Sequence, residues 1–201
     1  MGKIRSLVAV CTIPIIISLF TLDLVAFNEK YYPKAFEKYD VYSTIDATQE
    51  EIDAQALNVL RYIQNEEQLG GNLLNEKEKR HLADVQTLVI RGQQFLLIGM
   101  FIFLATWLPA ENKRKIIVSG CCITLGIILI LSLISFTNVF LLFHKLAFIN
   151  DLWLLNPVTD NLIKMYPQEI FHDIVKTSIG QTAGIAGILL VVSILHRWKR
   201  N

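Results

Sequence analysis

Two histidines and one aspartate are the side chains of this chain that best suit acid–base chemistry. His81 and Asp84 lie three positions apart in the segment KRHLADVQTLV, so on a helix they share one face. A carboxylate there can accept a ring N–H, which fixes the tautomer of the imidazole and raises its basicity. The same spacing also suits the solvated start of an interfacial helix, because Lys79 and Arg80 are adjacent.

His144 lies in a second segment that mixes apolar and polar residues, FHKLAFINDLWLLNPVTDNLIKMYP. Polar groups are costly in lipid unless they pair or line a cavity, so this segment is predicted to face a site. The alternative is a loop along the membrane interface, anchored by Trp153 and Tyr166. The polar side chains here that suit substrate binding are Asn150, Asp151 and Asp160.

Two further charges lie inside apolar runs and are functional hypotheses by default. Arg91 is two helical turns into its run, and Asp23 lies near the end of the first run. The two side chains either pair with each other, or Arg91 holds a lipid carbonyl or phosphate of the substrate. The sequence leaves both open.

The composition places these residues in a membrane protein. Hydrophobic residues make up 53% of the 201 residues and the mean hydropathy is +0.43, which is too apolar for an ordinary soluble domain. Four runs are long enough to span a bilayer, which takes roughly 20 apolar residues. The predicted organisation is a first transmembrane helix at 1–27, an extracytoplasmic loop domain at 28–84, a second helix at 85–109, a cytoplasmic loop at 110–115, a third helix at 116–140, an external interfacial segment at 141–176, and a fourth helix with a cytoplasmic tail at 177–201.

The positions of Lys and Arg set the predicted orientation. Basic residues cluster at the N-terminus, in the 110–115 loop and at the C-terminus, so both termini are expected in the cytoplasm and the site at the extracytoplasmic face. All three cysteines fall in the cytoplasmic halves of the runs, which excludes an external thiol nucleophile. In the fourth run, close approach of another helix is predicted at Gly180, Gly184 and Gly187.

The external segments carry local structure signals. Thr48 with Glu51, and Asn75 with Glu78, have the spacing of N-terminal helix caps, and the second helix should run unbroken into the 85–109 span. Rough alternation from Tyr39 to Ser43 predicts a short strand or hairpin. The predicted fold is an all-α transmembrane bundle of four helices with a small extracytoplasmic mixed α/β cap.

HLADVQTLV together with the 143–167 segment resembles the lipoprotein intramolecular transacylase family of low-GC Gram-positive bacteria. The resemblance covers essentially the whole chain, and it departs from the family pattern where Asn156-Pro157 replaces an Asp-Pro. It implies a bacterial cell-membrane enzyme that moves the sn-2 acyl chain of a diacylglyceryl lipoprotein to the α-amine of its N-terminal cysteine. The product is a lyso-form lipoprotein, and neither a cofactor nor a metal is implied.

We expect catalytic roles for His81, His144 and Asp84, and substrate-binding roles for Arg91, Asn150, Asp151 and Asp160. The alternative for Asn150, Asp151 and Asp160 is that they position His144 and brace the loop. In the working hypothesis, His81 oriented by Asp84 takes the amine proton, and His144 stabilises the oxyanion or protonates the departing oxygen. The expected partners are the lipoprotein and membrane lipid, with the chain acting as a monomer and without nucleic acid.

Three other interpretations use the same residues. One is a phospholipid acyltransferase or lipase that acts through the two histidines. Another is a haem- or quinone-binding membrane subunit, because two histidines from different helices can ligate haem iron. The third is a membrane scaffold without catalysis. Zinc-hydrolase, serine-triad, phosphate-loop and dinucleotide motifs are all missing from the sequence.

Overall fold

The computed structural model describes residues 2–198, and these residues form α-helices joined by turns. The helices are α1 (Gly2–Ala26), α2 (Tyr32–Lys38), α3 (Gln49–Ile63), α4 (Glu76–Trp107), α5 (Lys113–Leu131), α6 (Phe136–Ala147), α7 (Asn161–Met165) and α8 (Gln168–Trp198). Two short 3-10 turns, Glu29–Tyr31 and Val41–Ser43, flank α2. Helices α1, α4, α5 and the Gln168–Leu195 part of α8 are each long and apolar enough to cross a membrane.

The prediction of a mixed α/β cap is wrong, because residues 2–198 contain no strand. The predicted hairpin near Tyr39 is instead the end of α2 followed by a 3-10 turn. Asp40 has a left-handed backbone with φ of 58°, which breaks an extended path. Tyr39 also donates its hydroxyl hydrogen to Asp173 at 2.6 Å, a tertiary contact that local alternation does not reveal.

The expected third span, 116–140, differs from the structure, in which α5 ends at Leu131 and α6 begins at Phe136. Ser132 follows α5, and its hydroxyl donates to the carbonyl of Leu129 at 2.7 Å. His144 is therefore carried by a separate helix rather than by a loop after a longer one.

Both predicted helix caps are confirmed. Thr48 accepts the backbone N–H of Glu51 at 3.3 Å, and Glu51 accepts that of Thr48 at 2.9 Å, which opens α3. Asn75 and Glu78 exchange the same pair of bonds at the start of α4. Helix α4 then continues without interruption through His81 to Trp107.

The chain divides into two compact units, and the first comprises residues 2–25, 93–135 and 175–198 of those described. Its core joins Ala9, Ile13 and Ile17 of α1 to Ile116 of α5. Helix α5 approaches α1 closely at Gly120, where a Cβ atom would lie 2.8 Å from the Cβ of Ile13.

The glycines of α8 do not have the predicted role in the part of the chain that the structure describes. A Cβ atom added at Gly180, Gly184 or Gly187 would meet no atom within 4 Å. A cluster of hydroxyl groups joins α8 to α1 instead, since Thr21 bonds Thr182 at 2.7 Å and Ser178 at 3.0 Å. Hydrogen bonds between apolar helices hold them together where water does not compete.

The second unit comprises residues 26–92 and 136–174. One core cluster joins Val59 of α3, Leu82 of α4 and Leu162 of α7, with Leu74 between them. A group of edge-to-face aromatic pairs surrounds Phe36, which is fully buried. The rings in this group are those of Tyr32, Phe36, Tyr42 and Tyr166.

Gly120→Ala is predicted to destabilise the protein by about 1–3 kcal/mol, because the new methyl group overpacks the contact with Ile13. Thermal unfolding in detergent measures the effect. Gly126→Ala in the same helix is the matched control, since a Cβ atom there meets nothing within 4 Å. Equal unfolding temperatures for the two variants would contradict the close approach.

Candidate active site

His81 lies on the second turn of α4, where the Asn75–Glu78 cap fixes the helix start. The residue is buried, with 7% of its surface exposed, and its ring and that of Phe148 pack edge to face at a centroid distance of 5.0 Å. Its Nδ1 atom is buried and has no hydrogen-bond partner among the described residues. An unpaired buried nitrogen is unfavourable, so the position of this ring is not explained by stability alone.

His144 lies in the last turn of α6, and its Nδ1 atom is 2.8 Å from the carbonyl oxygen of Phe140. A carbonyl oxygen only accepts, so the ring must carry its hydrogen on Nδ1. In the neutral ring, Nε2 then keeps a lone pair. The helix backbone thereby sets His144 as a proton acceptor at Nε2.

The two rings lie close together in the second unit, with centroids 6.5 Å apart. The structure therefore brings together the two histidines that the sequence selected, from positions 63 residues apart on α4 and α6. Four aromatic rings surround His144 at centroid distances of 4.3–5.6 Å. They belong to Phe140, Phe143, Phe148 and Trp153.

Asp84 accepts a hydrogen bond from the side-chain amide of Asn150 at 2.9 Å. Among the described residues no hydrogen bond joins Asp84 to His81, the contact expected from their spacing. Lys77, two turns before Asp84 on α4, donates to the backbone carbonyl of Leu154. The 150–155 segment, here called the strap, is thus attached to α4 on both sides of His81.

Asp160 is buried and holds the loop before α7 together. Its carboxylate accepts from the backbone N–H of Asn156 at 2.8 Å, the Asn75 amide at 3.0 Å and the Thr159 hydroxyl at 3.1 Å. The backbone N–H of Asn156 is the main cause that lowers the pKa of Asp160 below its usual value, against an opposing effect of burial.

The other charged residues singled out from the sequence have different surroundings. Asp151 and Arg91 are exposed, each within the second unit. In the first unit, the carboxylate of Asp23 accepts from the Gln93 amide at 3.1 Å, a partner that the sequence did not suggest. No group of three His, Cys, Asp or Glu side chains suited to a metal ion occurs in the described part of the chain.

The structure adds two groups that the sequence did not assign to the site. Glu78 is 1% exposed and accepts the backbone N–H of Leu162 as well as that of Asn75, so it ties α7 to the start of α4. The cap pattern revealed its local bond but not the distant one. The second group is the main-chain carbonyl of Phe140. It can bond the ring of His144 only when that side chain adopts a suitable rotamer.

Stability should fall in acid partly through Asp160. Because its pKa is lowered by folding, the carboxylate contributes stability above its unfolded value of about 3.9, and this is lost as pH falls through the lower folded value. Asp160→Asn is therefore expected to unfold at a lower temperature than the parent at pH 6. The difference should shrink by pH 3, as measured by thermal unfolding at both pH values. A difference that is constant with pH would contradict this assignment.

Comparison with known proteins places the chain in a family. The family model described as lipoprotein intramolecular transacylase Lit matches residues 7–171. The solved membrane-integral lipoprotein intramolecular transacylase from Bacillus cereus has a similar fold, with a TM-score of 0.87 at 22% identity over 100% of this chain and 98% of that one. A variant of that protein with one histidine replaced by alanine gives a TM-score of 0.82 at 21% identity over 100% and 96%.

A search of curated proteins finds no match. The family match alone covers most of the chain, including both histidines, the strap and Asp160. The chain therefore belongs to the lipoprotein intramolecular transacylase family.

Proposed function

We propose that this chain transfers the sn-2 acyl group of a diacylglyceryl lipoprotein to the α-amine of its N-terminal cysteine, giving the lyso-form. The observation that carries the proposal is the His81–His144 pair, in which one ring has a free Nε2 and the other a buried, unpaired Nδ1. Ester aminolysis needs a proton acceptor near the amine and a donor near the carbonyl oxygen, and two imidazoles supply both.

The proposed setting is the extracytoplasmic face of a bacterial cell membrane, with four spans, both termini in the cytoplasm and the chain acting as a monomer. The four long apolar helices and the clusters of Lys and Arg at the chain ends and in the 110–115 loop support it. His81 lies just before the apolar part of α4. A lipoprotein anchored by its acyl chains presents its cysteine at that depth.

His144 is the proposed base, which reverses the order of roles favoured by sequence spacing. The Phe140 carbonyl holds the hydrogen on Nδ1 of His144, so Nε2 can take a proton from the amine nitrogen. His81 lacks the bond to Asp84 on which its assignment as the base rested. The tautomer of His144 supports this order of roles.

His81 is the proposed donor to the oxyanion. Its burial against Phe148 disfavours an added charge, so the ring stays neutral and presents one N–H. A hydrogen bond from this ring to the ester oxygen strengthens as negative charge develops in the tetrahedral intermediate. Rings with centroids 6.5 Å apart can both reach one tetrahedral centre, since each hydrogen bond spans about 3 Å.

The reaction balances without a further reactant. The amine nitrogen attacks the ester carbonyl carbon, and His144 takes the proton that the nitrogen then carries. When the carbon–oxygen bond to glycerol breaks, the imidazolium of His144 returns this proton to the departing oxygen. An amide forms, a glycerol hydroxyl is released, and the enzyme regains its first state. Because donor and acceptor belong to one molecule, orientation supplies much of the rate enhancement.

The remaining predicted site residues divide into supports and substrate contacts. Asp84 and Asn150 are proposed to hold the strap, and Asp160 to hold the loop before α7, because their polar atoms bond one another or the backbone. Asp151 and Arg91 are exposed and are proposed to contact the polar parts of the substrate. For Arg91 these are the carbonyl or phosphate oxygens of lipid.

Replacing either histidine of the pair by alanine should abolish most activity. The expected loss is about 10²–10⁴-fold for His144→Ala, which removes the base, and about 10²–10³-fold for His81→Ala, which removes the oxyanion donor. The assay is conversion of a defined diacylglyceryl lipopeptide by purified protein, read by mass spectrometry. His172→Ala is the matched control, since that histidine is exposed and its ring contacts that of Phe136 at an inclination of 41° instead. Normal conversion by stable His144→Ala would refute the proposal.

A double-mutant cycle tests whether Asp84 acts through the strap or through His81. If Asp84 acts only by binding Asn150, then Asp84→Ala, Asn150→Ala and the double variant should each lose about fivefold in kcat/KM, the value of one hydrogen bond of about 1 kcal/mol. An Asp84 that orients a catalytic imidazole would instead cost about 10⁴-fold on its own. The second result would restore the direct role first expected for Asp84.

A further inference from the structure

The His144 ring lies in an aromatic enclosure formed by Phe140, Phe143, Phe148 and Trp153. Three of these rings come from α6 or the residue just after it. Trp153 is different, because it belongs to the strap and its centroid is 5.3 Å from that of His144. The two rings are inclined by 41° rather than stacked face to face.

Two polar contacts to α4, one near each end of the strap, help to hold Trp153 in place. Asn150 bonds Asp84, and the carbonyl of Leu154 accepts from Lys77. Within the strap, the N–H of Leu152 bonds the side chain of Asn150 at 3.0 Å. These bonds place the half-buried indole of Trp153 beside His144, the proposed base. Packing alone would not require an indole at this position, because many side chains could make van der Waals contact there.

An indole face beside a proton acceptor favours a cationic guest. Aromatic faces carry negative charge density and attract ammonium groups within about 6 Å of the ring centroid, and Trp does so best. The acceptor amine of a lipoprotein has a pKa of about 7.7–8.0, so at pH 7 most of it arrives as an ammonium ion. A site that bound only the neutral amine would therefore bind only a minor part of the substrate at pH 7.

We propose that Trp153 and the neighbouring rings form the subsite that receives the α-ammonium of the lipoprotein's N-terminal cysteine, directly beside Nε2 of His144. This inference rests on the proposed function and names the group that recognises the acyl acceptor. The ammonium binds against the indole face, transfers one proton from its nitrogen to Nε2 of His144, and remains as the neutral amine. Solvent removes that first proton before attack begins, so His144 is again free to accept the second.

The test compares two unreactive lipopeptides that differ in charge at the N-terminus. One is a diacylglyceryl lipopeptide trimethylated on its α-nitrogen, which is permanently cationic, and the other is N-acetylated and neutral. Equilibrium binding of each to the full chain in zwitterionic nanodiscs gives a ratio of dissociation constants. The parent protein is expected to bind the cation about three- to tenfold more tightly, the range of an exposed to partly desolvated cation–π contact.

Substitution of Trp153 should change that ratio in a graded way. With Trp153→Leu the preference for the cation is expected to fall to about one, and with Trp153→Phe part of it should remain. Leu154→Ala is the matched control, because that strap side chain is 52% exposed and is not among the rings around His144. The ratio compares two ligands on one protein, so a general loss of stability does not move it.

Two results would overturn the subsite. One is equal affinity of the parent for both lipopeptides, and the other is an unchanged ratio in Trp153→Leu. Turnover of the free-amine lipopeptide is measured in parallel. This measurement separates the ammonium subsite from the proposed transacylase function. A parent protein that makes no lyso-form product refutes the proposed function, whereas turnover without cation preference refutes only the ammonium subsite.

Discussion

The geometry of the site depends on one buried carboxylate. Glu78 is 1% exposed, and burying a charge is costly unless hydrogen bonds compensate it. Its compensation comes from the backbone N–H groups of Asn75 and Leu162, which lie 87 positions apart in the chain. Because each N–H belongs to a different element, the carboxylate is satisfied only when α7 lies at the start of α4. Asn75 also donates to Asp160, which binds the loop before α7 to the same point.

With that junction fixed, the strap has little freedom. It leaves α6 at one end and enters the 156–160 loop at the other, and Lys77 and Asp84 attach it to α4 between these points. His81 lies between the two attachments, so burial of its ring and placement of Trp153 beside His144 follow from the same contacts. The exposed hydrogen bonds of Lys77 and Asp84 to the strap therefore position the rings that surround the two histidines.

Sequence reasoning reached the parts of this arrangement that are local. Helix caps depend on residues three apart, so the Thr48–Glu51 and Asn75–Glu78 pairs were predicted and are confirmed. The two histidines were found because imidazole suits acid–base chemistry and each lies in one of the two segments that resemble the family. The hydrogen-bond partners of these side chains could not be predicted from the sequence, because the bonds of Asp84 to Asn150 and of Tyr39 to Asp173 join distant segments. The predicted strand failed for the same reason, because a weak alternation gave way to a tertiary contact.

In the proposed mechanism, a main-chain atom sets the tautomer of the base, His144. A carboxylate next to an imidazole raises its basicity but also brings a charge that must be accommodated in an apolar site. The carbonyl of Phe140 fixes the hydrogen on Nδ1 without adding charge, and helix α6 supplies this carbonyl four residues before the histidine. Nε2, the other nitrogen of the ring, then keeps its lone pair. The proposed transfer of an acyl group from an ester oxygen to an amine of the same molecule needs only such a neutral acceptor and one donor. Asp84 is thereby left free to hold the strap.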